Sequence, residues 1–180
     1  MGTPQSFIYW LTCRFLPAFI IVTMTFGSIS HGASLAVDKQ PPAMAAVAVK
    51  QVNVNELLNF LAENHGKVIL VNFFAAFCGP CRKEIPELMR LRKEIPEKDL
   101  LIVGVAIDET IGEASRFIKS LGIQDAYPVF YGGDEVSRAY RIDAIPFNVV
   151  YNRQGRIEAS EAGYVPITEL KKFLMTLIRR

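Results

Sequence analysis

The sequence predicts an α/β domain with a mixed sheet and helices on both of its faces. Two apolar runs, residues 67–74 and 100–107, are typical of strands buried on both sides in the middle of a parallel sheet. Segments with helical periodicity alternate with these strands, and a hairpin signal around residues 152–155 follows them. The order of a β-α-β unit, a further helix and strand, a hairpin and a final helix predicts this fold class.

Each element depends on a local signal. A linker with Pro41 and Pro42 leads into an edge strand near residues 45–51. Asn53 or Asn55 can cap the first helix, which stops before Gly66. The expected apolar stripe of that helix consists of Leu57, Leu58, Phe60 and Leu61. The other predicted elements are a strand over 67–74, a helix from the cysteine pair through Leu91 that contains Pro86, a strand over 100–107, a helix over 111–121 ended by Gly122, a strand over 128–131, a helix over 134–140, hairpin strands over 147–151 and 156–160, and a helix over 167–178.

The composition indicates one domain preceded by a leader. The 180 residues are 51% hydrophobic, which is enough apolar material for a single core. The chain divides into a leader over residues 1–36, a linker and edge strand over 37–50, and a domain over 51–180. The 20 basic and 18 acidic residues are mixed along the chain, so we expect no nucleic-acid partner, which would require clustered positive charge.

The leader is expected to be a signal peptide or an N-terminal membrane anchor. No Lys, Arg, Asp or Glu occurs over residues 15–37, and an apolar block over 15–26 follows Arg14. This block has the length of a signal-peptide core and is short for a membrane span, and Ser34 with Ala36 fits a cleavage site. Cleavage and retention as an anchor both place the domain outside the cytoplasm.

The strongest chemical signal is Cys78-Gly79-Pro80-Cys81, which follows a buried strand and opens a helix. Two intervening residues let both sulfurs meet across one turn, so the pair can alternate between dithiol and disulfide. At the helix start, Cys78 faces unpaired N–H groups and the positive end of the helix dipole, which favour the thiolate. We therefore expect Cys78 to be the nucleophile and Cys81, which is more shielded, to be the resolving thiol.

A metal site is the main structural alternative for such a pair. Zinc needs two further Cys or His ligands, and Cys13, His31 and His65 are not suitably placed to supply them. Covalent haem attachment fails because Arg82 stands where that motif requires histidine. We therefore expect no metal and no cofactor. If the leader is removed, no other cysteine is left, which favours catalysis over a structural disulfide.

These motifs resemble the thioredoxin superfamily and, within it, the exported TlpA/ResA/CcmG-like thiol–disulfide interchange proteins, CcmG being also called DsbE. The resemblance covers roughly residues 67–179 and is most specific over residues 71–86, which include the cysteine pair. Residues 140–147 and 152–155 complete it. The resemblance implies a thioredoxin fold, whose central mixed sheet is flanked by helices on both faces.

The resemblance also implies roles for residues around the pair. Pro146 is expected to form a cis peptide bond opposite the cysteines and to leave the backbone before it open to an extended client peptide. Glu84, three residues after Cys81 on one helical face, is expected to exchange protons with that thiol. The alternatives are an ordinary trans proline and a solvated surface carboxylate. The expected docking surface consists of Phe77, Gly79, Pro80, Ile145 and Phe147.

Several residues depart from the pattern of this group. Phe74 and Phe77 stand where tryptophan is usual. Phe147 replaces a frequent threonine, and Ala144 replaces a frequent glycine. Asn72 stands where cytosolic thioredoxins have a buried aspartate. Because residues near the sulfurs tune their reactivity, these changes bear on the choice of partner and on the reduction potential.

The sequence thus predicts an exported thiol–disulfide oxidoreductase in the periplasm or at the outer face of the cytoplasmic membrane. We expect a monomer that reduces disulfides in client proteins with electrons from a membrane thiol donor. The resemblance suggests apocytochrome c or assembly factors for copper centres as clients. Two alternatives stay open, a disulfide oxidase or isomerase and a chaperone that holds Cu(I) with its dithiol. A peroxidase is not expected, because the Pro-x-x-x-Thr-x-x-Cys pattern is absent.

Overall fold

The computed structural model describes residues 49–180. The expected leader over residues 1–36, the linker up to residue 48 and most of the edge strand near residues 45–51 lie outside the described residues. The strands are β1 (Lys50–Gln51), β2 (Val68–Phe74), β3 (Leu100–Ala106), β4 (Val129–Tyr131), β5 (Phe147–Tyr151) and β6 (Ile157–Ala162). The α-helices are α1 (Val54–Glu63), α2 (Gly79–Glu94), α3 (Ile111–Leu121), α4 (Gly133–Ala139) and α5 (Ile167–Ile178).

Within the described residues, six strands form one mixed sheet in the order β1-β4-β3-β2-β5-β6. The first four strands in this order run parallel, whereas β5 is antiparallel to β2, and β6 is antiparallel to β5. Every residue of β2 and β3 is buried, as their apolar runs predict for central strands. The predicted mixed sheet is confirmed, and α2 begins just beyond the carboxyl end of β2.

Helices cover both faces of this sheet. On one face, buried residues of α2, α3 and α5 pack with Leu70 and Phe74 of β2. On the other face, α1 and α4 pack with Ile69, Val71 and Phe73 of the same strand. Successive side chains of a strand point to opposite faces, so β2 contributes to both cores. Burial of these apolar side chains is the main stabilising contribution in each core.

The ends of the helices follow the sequence signals. Of the two candidate caps for α1, Asn53 is the N-cap, and its Oδ1 accepts the Glu56 N–H at 2.9 Å. The Glu56 carboxylate accepts the Asn53 N–H in return, which completes a capping box. Gly122 ends α3 with a φ of 65°, a conformation that glycine adopts without strain. The predicted stripe of α1 is wrong at Leu58, which is 45% exposed because it lies about 100° around the helix from buried Leu57.

The remaining elements lie close to their predicted bounds. α3 and α5 begin and end at the predicted residues, and Pro86 lies inside α2. A short 3-10 helix over Ile123–Asp125, between α3 and β4, was not predicted. Across residues 49–180, no helix has both the length and the apolar character that crossing a membrane requires.

Candidate active site

The two cysteines lie where β2 ends and α2 begins, at the carboxyl end of a central strand. Cys78 is the N-cap of α2, and Cys81 lies in its first turn. Their sulfurs are joined in a disulfide, with the Cα atoms 5.3 Å apart, and the Cys81 N–H donates to Cys78 Sγ at 3.1 Å. Cys78 is 5% exposed and Cys81 is completely buried. The residues between them, Gly79 and Pro80, are exposed on this side of the pair.

The turn before Cys78 is held from both sides. The Ala76 N–H donates to the Asp108 carboxylate at 2.6 Å, and Arg82 donates to the Ala76 carbonyl at 2.6 Å. The Arg82 guanidinium also lies 4.6 Å from the centre of the Phe117 ring, which is a cation–π distance. Asp108 is almost fully buried, and this burial raises its pKa. The backbone that leads to Cys78 is thus fixed by the side chains of Asp108 and Arg82.

Glu84 lies in α2 on the face that packs against the sheet, and it is completely buried. The Asn72 side-chain N–H donates to Glu84 Oε2 at 2.9 Å, and the Asn148 side-chain N–H donates to Glu84 Oε1 at 2.9 Å. A longer contact of 3.4 Å runs from the Val165 N–H to Oε1. The alternative of a solvated surface carboxylate is therefore wrong for Glu84. Like Cys81, one helical turn before it, Glu84 is shielded from solvent.

Opposing effects act on the pKa of Glu84. Burial is the largest and raises the pKa, because the charged form loses its hydration. The hydrogen bonds from Asn148, Val165 and Asn72 lower it, and the nearby Glu87 carboxylate raises it. The net result is a pKa above the ordinary glutamate value of 4.5, that is, shifted in the direction of neutral pH.

Sequence analysis did not identify Asn148 and Asp108 as members of this site. Asn148 shares a face of β5 with the core residue Val150, so a polar residue at a core position was the available signal. Asp108 follows β3 at the carboxyl end of the sheet, where functional side chains often lie. Neither signal identifies the residue that the side chain contacts. Asn148 and Glu84, for example, are 64 residues apart in the chain.

The peptide bond between Ile145 and Pro146 is cis, as the resemblance implied. Ile145 packs against the same core as the cysteine pair, and Phe77, next to Cys78, is 77% exposed. Phe147 behaves differently, because its ring packs against Phe73 on the face covered by α1 and α4. The exposed apolar surface beside Cys78 is therefore contributed by Phe77, and the assignment of the docking surface stays a prediction.

His65 lies at the opposite end of β2 from the cysteines. It follows α1 in the turn before β2 and approaches Gly155 in the β5–β6 hairpin. The length of β2 therefore separates the His65 ring from the two sulfurs. Among residues 49–180, no group of three or more His, Cys, Asp or Glu side chains is placed to hold a metal ion.

Residues 37–174 match the Redoxin family. The chain is 31% identical over 114 residues to Thiol-disulfide oxidoreductase ResA of Oceanobacillus iheyensis, an alignment that covers 63% of this chain and 59% of the relative. The match thus spans less than two thirds of that relative's length. The chain is also 26% identical over 169 residues to Sporulation thiol-disulfide oxidoreductase A of Bacillus subtilis, covering 91% of this chain and 98% of that protein.

Solved structures share the fold. A thiol:disulfide interchange protein of the thioredoxin family from Chlorobium tepidum TLS is 28% identical with a TM-score of 0.58, covering 65% of this chain and 83% of that chain. A thiol-disulfide isomerase from Corynebacterium glutamicum is 23% identical with a TM-score of 0.60, covering 66% of this chain and 86% of that chain. This likeness confirms the predicted thioredoxin fold, a mixed sheet flanked by helices on both faces.

Proposed function

This chain belongs to the Redoxin family, within the thioredoxin superfamily, and we propose that it is an exported thiol–disulfide oxidoreductase that reduces disulfides in client proteins. The observation that carries the proposal is the pairing of Cys78 with Cys81 at the start of α2. The names of the relatives support the same reaction class, since two of them are called thiol-disulfide oxidoreductases.

The proposed cycle begins with the reduced pair. The Cys78 thiolate attacks one sulfur of a client disulfide, forms a mixed disulfide and releases the first client thiolate. Cys81, once deprotonated, attacks Cys78 Sγ and releases the second client thiolate, which leaves the Cys78–Cys81 disulfide. The client thus gains the two electrons that the cysteine pair loses, and its two thiolates take up two protons, one that started on Cys81 and passes through Glu84 and one from solvent. A dithiol donor at the membrane then reduces the pair and is itself oxidised to a disulfide.

Glu84 is the proposed acceptor of the Cys81 proton. Both groups lie on one face of α2 and are completely buried, so bulk water does not reach the Cys81 thiol directly. A carboxyl group whose pKa lies above its ordinary value exchanges protons more readily near neutral pH. Glu84 therefore takes the proton as Cys81 attacks, and it loses that proton before the next turnover.

The proposed docking surface surrounds the exposed side of the pair. Phe77 supplies apolar area that a client segment can cover, and Gly79 and Pro80 leave the approach to Cys78 open. The backbone of Ile145, before the cis bond to Pro146, is proposed to pair with an extended client strand. We propose that a client bound in this way presents its disulfide to Cys78 rather than to the buried Cys81.

The leader supports an exported location for this reaction. We place the domain in the periplasm or at the outer face of the cytoplasmic membrane, with residues 1–36 either removed or kept as a tether. There the protein acts as a monomer on cysteine-containing clients, of which apocytochrome c and copper-centre assembly factors fit the resemblance. A membrane thiol donor supplies the electrons.

A trapping experiment tests the proposal. The full chain carrying Cys81→Ser is incubated after reduction with an oxidised protein client, and adducts are separated without reductant. We expect a mixed disulfide through Cys78 that dithiothreitol releases and that the matched Cys78→Ser variant does not form. Absence of any adduct, together with stoichiometric Cu(I) binding that the Cys81→Ser change only weakens, would contradict the reductase and favour the copper chaperone.

A further inference from the structure

Asn148 lies directly opposite Asn72 in the sheet, and both lie under Glu84. The two asparagines are partners in the antiparallel pairing of β5 with β2. The Asn72 side-chain N–H donates to Asn148 Oδ1 at 2.9 Å, in addition to its bond to Glu84. The three side chains therefore close a ring of hydrogen bonds between two strands and α2, and all three are at most 2% exposed.

Every group that faces the Glu84 carboxylate within this ring is a donor. Asn72 and Asn148 each point a side-chain N–H at a different oxygen, and the Val165 N–H points at Oε1. A carboxylate can accept all of these bonds, whereas a protonated carboxyl group would place its own O–H against one of these donors and lose that bond. The ring therefore matches the charged form of Glu84.

The two polar atoms of the Asn72 side chain are used unequally. Its Oδ1 is buried and has no hydrogen-bond partner among the described residues, whereas its Nδ2 makes two bonds. Leaving a buried acceptor unpaired costs free energy. In this orientation Nδ2 donates to both Glu84 and Asn148, and Oδ1 is the end left unpaired.

We propose that Asn148, through its hydrogen bonds to Glu84 and Asn72, is a positioning residue that holds Glu84 as a carboxylate aimed for proton transfer in the disulfide exchange. The role in proton transfer rests on the proposed function. The stabilisation of the Glu84 carboxylate by these hydrogen bonds does not. Asn148 thus counteracts the effect of burial, which raises the pKa of Glu84.

The other titratable groups near Glu84 do not stabilise its carboxylate. Glu87, in the same helix, repels the charge on Glu84, and it accepts a hydrogen bond from Tyr164 at 2.9 Å. The buried Tyr127 also faces Glu84, and burial followed by repulsion from that carboxylate raises its pKa, so it stays neutral. The amides and the Val165 N–H are therefore the groups that favour the anion.

A cavity beside Asn148 makes the position accessible to substitution. Its volume is about 420 Å³, and its walls include Asn148, Val150 and Val165. A changed side chain at residue 148 therefore has free space on one side. The same cavity is lined by Asn148 and Val165, two of the residues that donate to Glu84.

The test is a titration of Glu84 in the oxidised full chain, followed by the ¹³C shift of its carboxyl carbon and assigned with Glu84→Gln. Asn148→Leu removes one charge-assisted bond, so we expect the midpoint to rise by about one to two pH units. Val150→Ala, on the same strand face and the same cavity, changes packing without removing a donor and should leave the midpoint in place. Asn148→Ser, whose hydroxyl is shorter, should give a smaller rise and serves if the leucine variant fails to fold.

An unchanged midpoint in both Asn148 variants would overturn the proposal, as would an equal shift in Val150→Ala. The titration requires no client, so it measures the effect of Asn148 on Glu84 even if the oxidoreductase proposal fails. A second measurement, the pH profile of client-disulfide reduction, should move in the same direction as the midpoint in Asn148→Leu. If the Glu84 midpoint shifts but the pH profile of reduction does not, Glu84 takes no part in the proton transfer, although Asn148 still stabilises its carboxylate.

Discussion

The two faces of the sheet are built from the same strands but carry different residues at their centres. Towards α1 and α4, β2 presents Ile69, Val71 and Phe73, all of which are apolar. Towards α2, α3 and α5, the same strand presents Asn72 between two apolar residues, and this asparagine meets Glu84. The polar ring lies on the face whose core also contains the cysteine pair. One face is thus apolar throughout β2, whereas the other buries a polar cluster beside the cysteine pair, which is where we propose that the chemistry occurs.

The largest effect that separates the faces is expected for Cys81→Ser. Without the resolving thiol, the mixed disulfide on Cys78 persists, so multiple-turnover reduction of a protein disulfide falls to the uncatalysed rate. The turnover is measured well below the urea midpoint of the variant, because a serine hydroxyl at this completely buried position costs some stability. The measurement is insulin reduction beside equilibrium unfolding. Turnover at the parental rate would contradict the assignment.

A substitution on the opposite face should give the reverse pattern. Leu57→Ala in α1 leaves a cavity at a completely buried position, so we expect a loss of about 2–5 kcal/mol in the free energy of unfolding. The rate of disulfide reduction, measured well below the unfolding transition, should not change. A fall in this rate in the folded protein would show that the two faces are coupled.

The pH dependence of stability should reveal the cost of burying Glu84. Its pKa is raised in the folded protein, so the native state binds the proton more tightly than the unfolded chain does. The free energy of unfolding, relative to that of Glu84→Gln, should therefore fall as the pH rises from about 4.5 to the folded pKa, and then level off. Each unit of the shift contributes about 1.4 kcal/mol. Urea unfolding between pH 4 and pH 8 measures this difference, and a rise over the same range would contradict the raised pKa.

The smallest effect is expected at the N-cap of α1. Asn53→Ala removes one side of the capping box, which should cost about 1 kcal/mol of stability. Because α1 lies on the face away from the cysteines, the reactivity of the pair should be unaffected. Thermal unfolding and the rate of thiol alkylation measure the two quantities. An altered alkylation rate would extend the active site to this helix.

The contrast between the faces also explains what could be predicted from the sequence. The apolar runs of β2 and β3, the Gly122 stop and the Asn53 cap are local signals, and the structure follows them. The burial of Glu84 was not decided by local pattern, since a carboxylate next to Arg82 and Lys83 is equally typical of a solvated helix face.

The missing information was the pairing of distant strands. Asn72 and Asn148 become neighbours only through the antiparallel pairing of β2 with β5, and the register of that pairing depends on the whole sheet. Asp108 likewise reaches Ala76 only because β3 lies beside β2. The trace that such long-range contacts leave in the sequence is a polar residue within an apolar strand, as at Asn72 and Asn148, or just after one, as at Asp108.

The reduction potential of the Cys78–Cys81 couple tests the central claim most directly. The protein is equilibrated with glutathione at defined ratios of reduced to oxidised form, and the fraction of free thiol is measured by alkylation. A potential near that of thioredoxin, about −270 mV, is the result that we expect for a client reductase supplied by a dithiol donor. A potential near about −120 mV would contradict the claim and make the protein an oxidant of its clients.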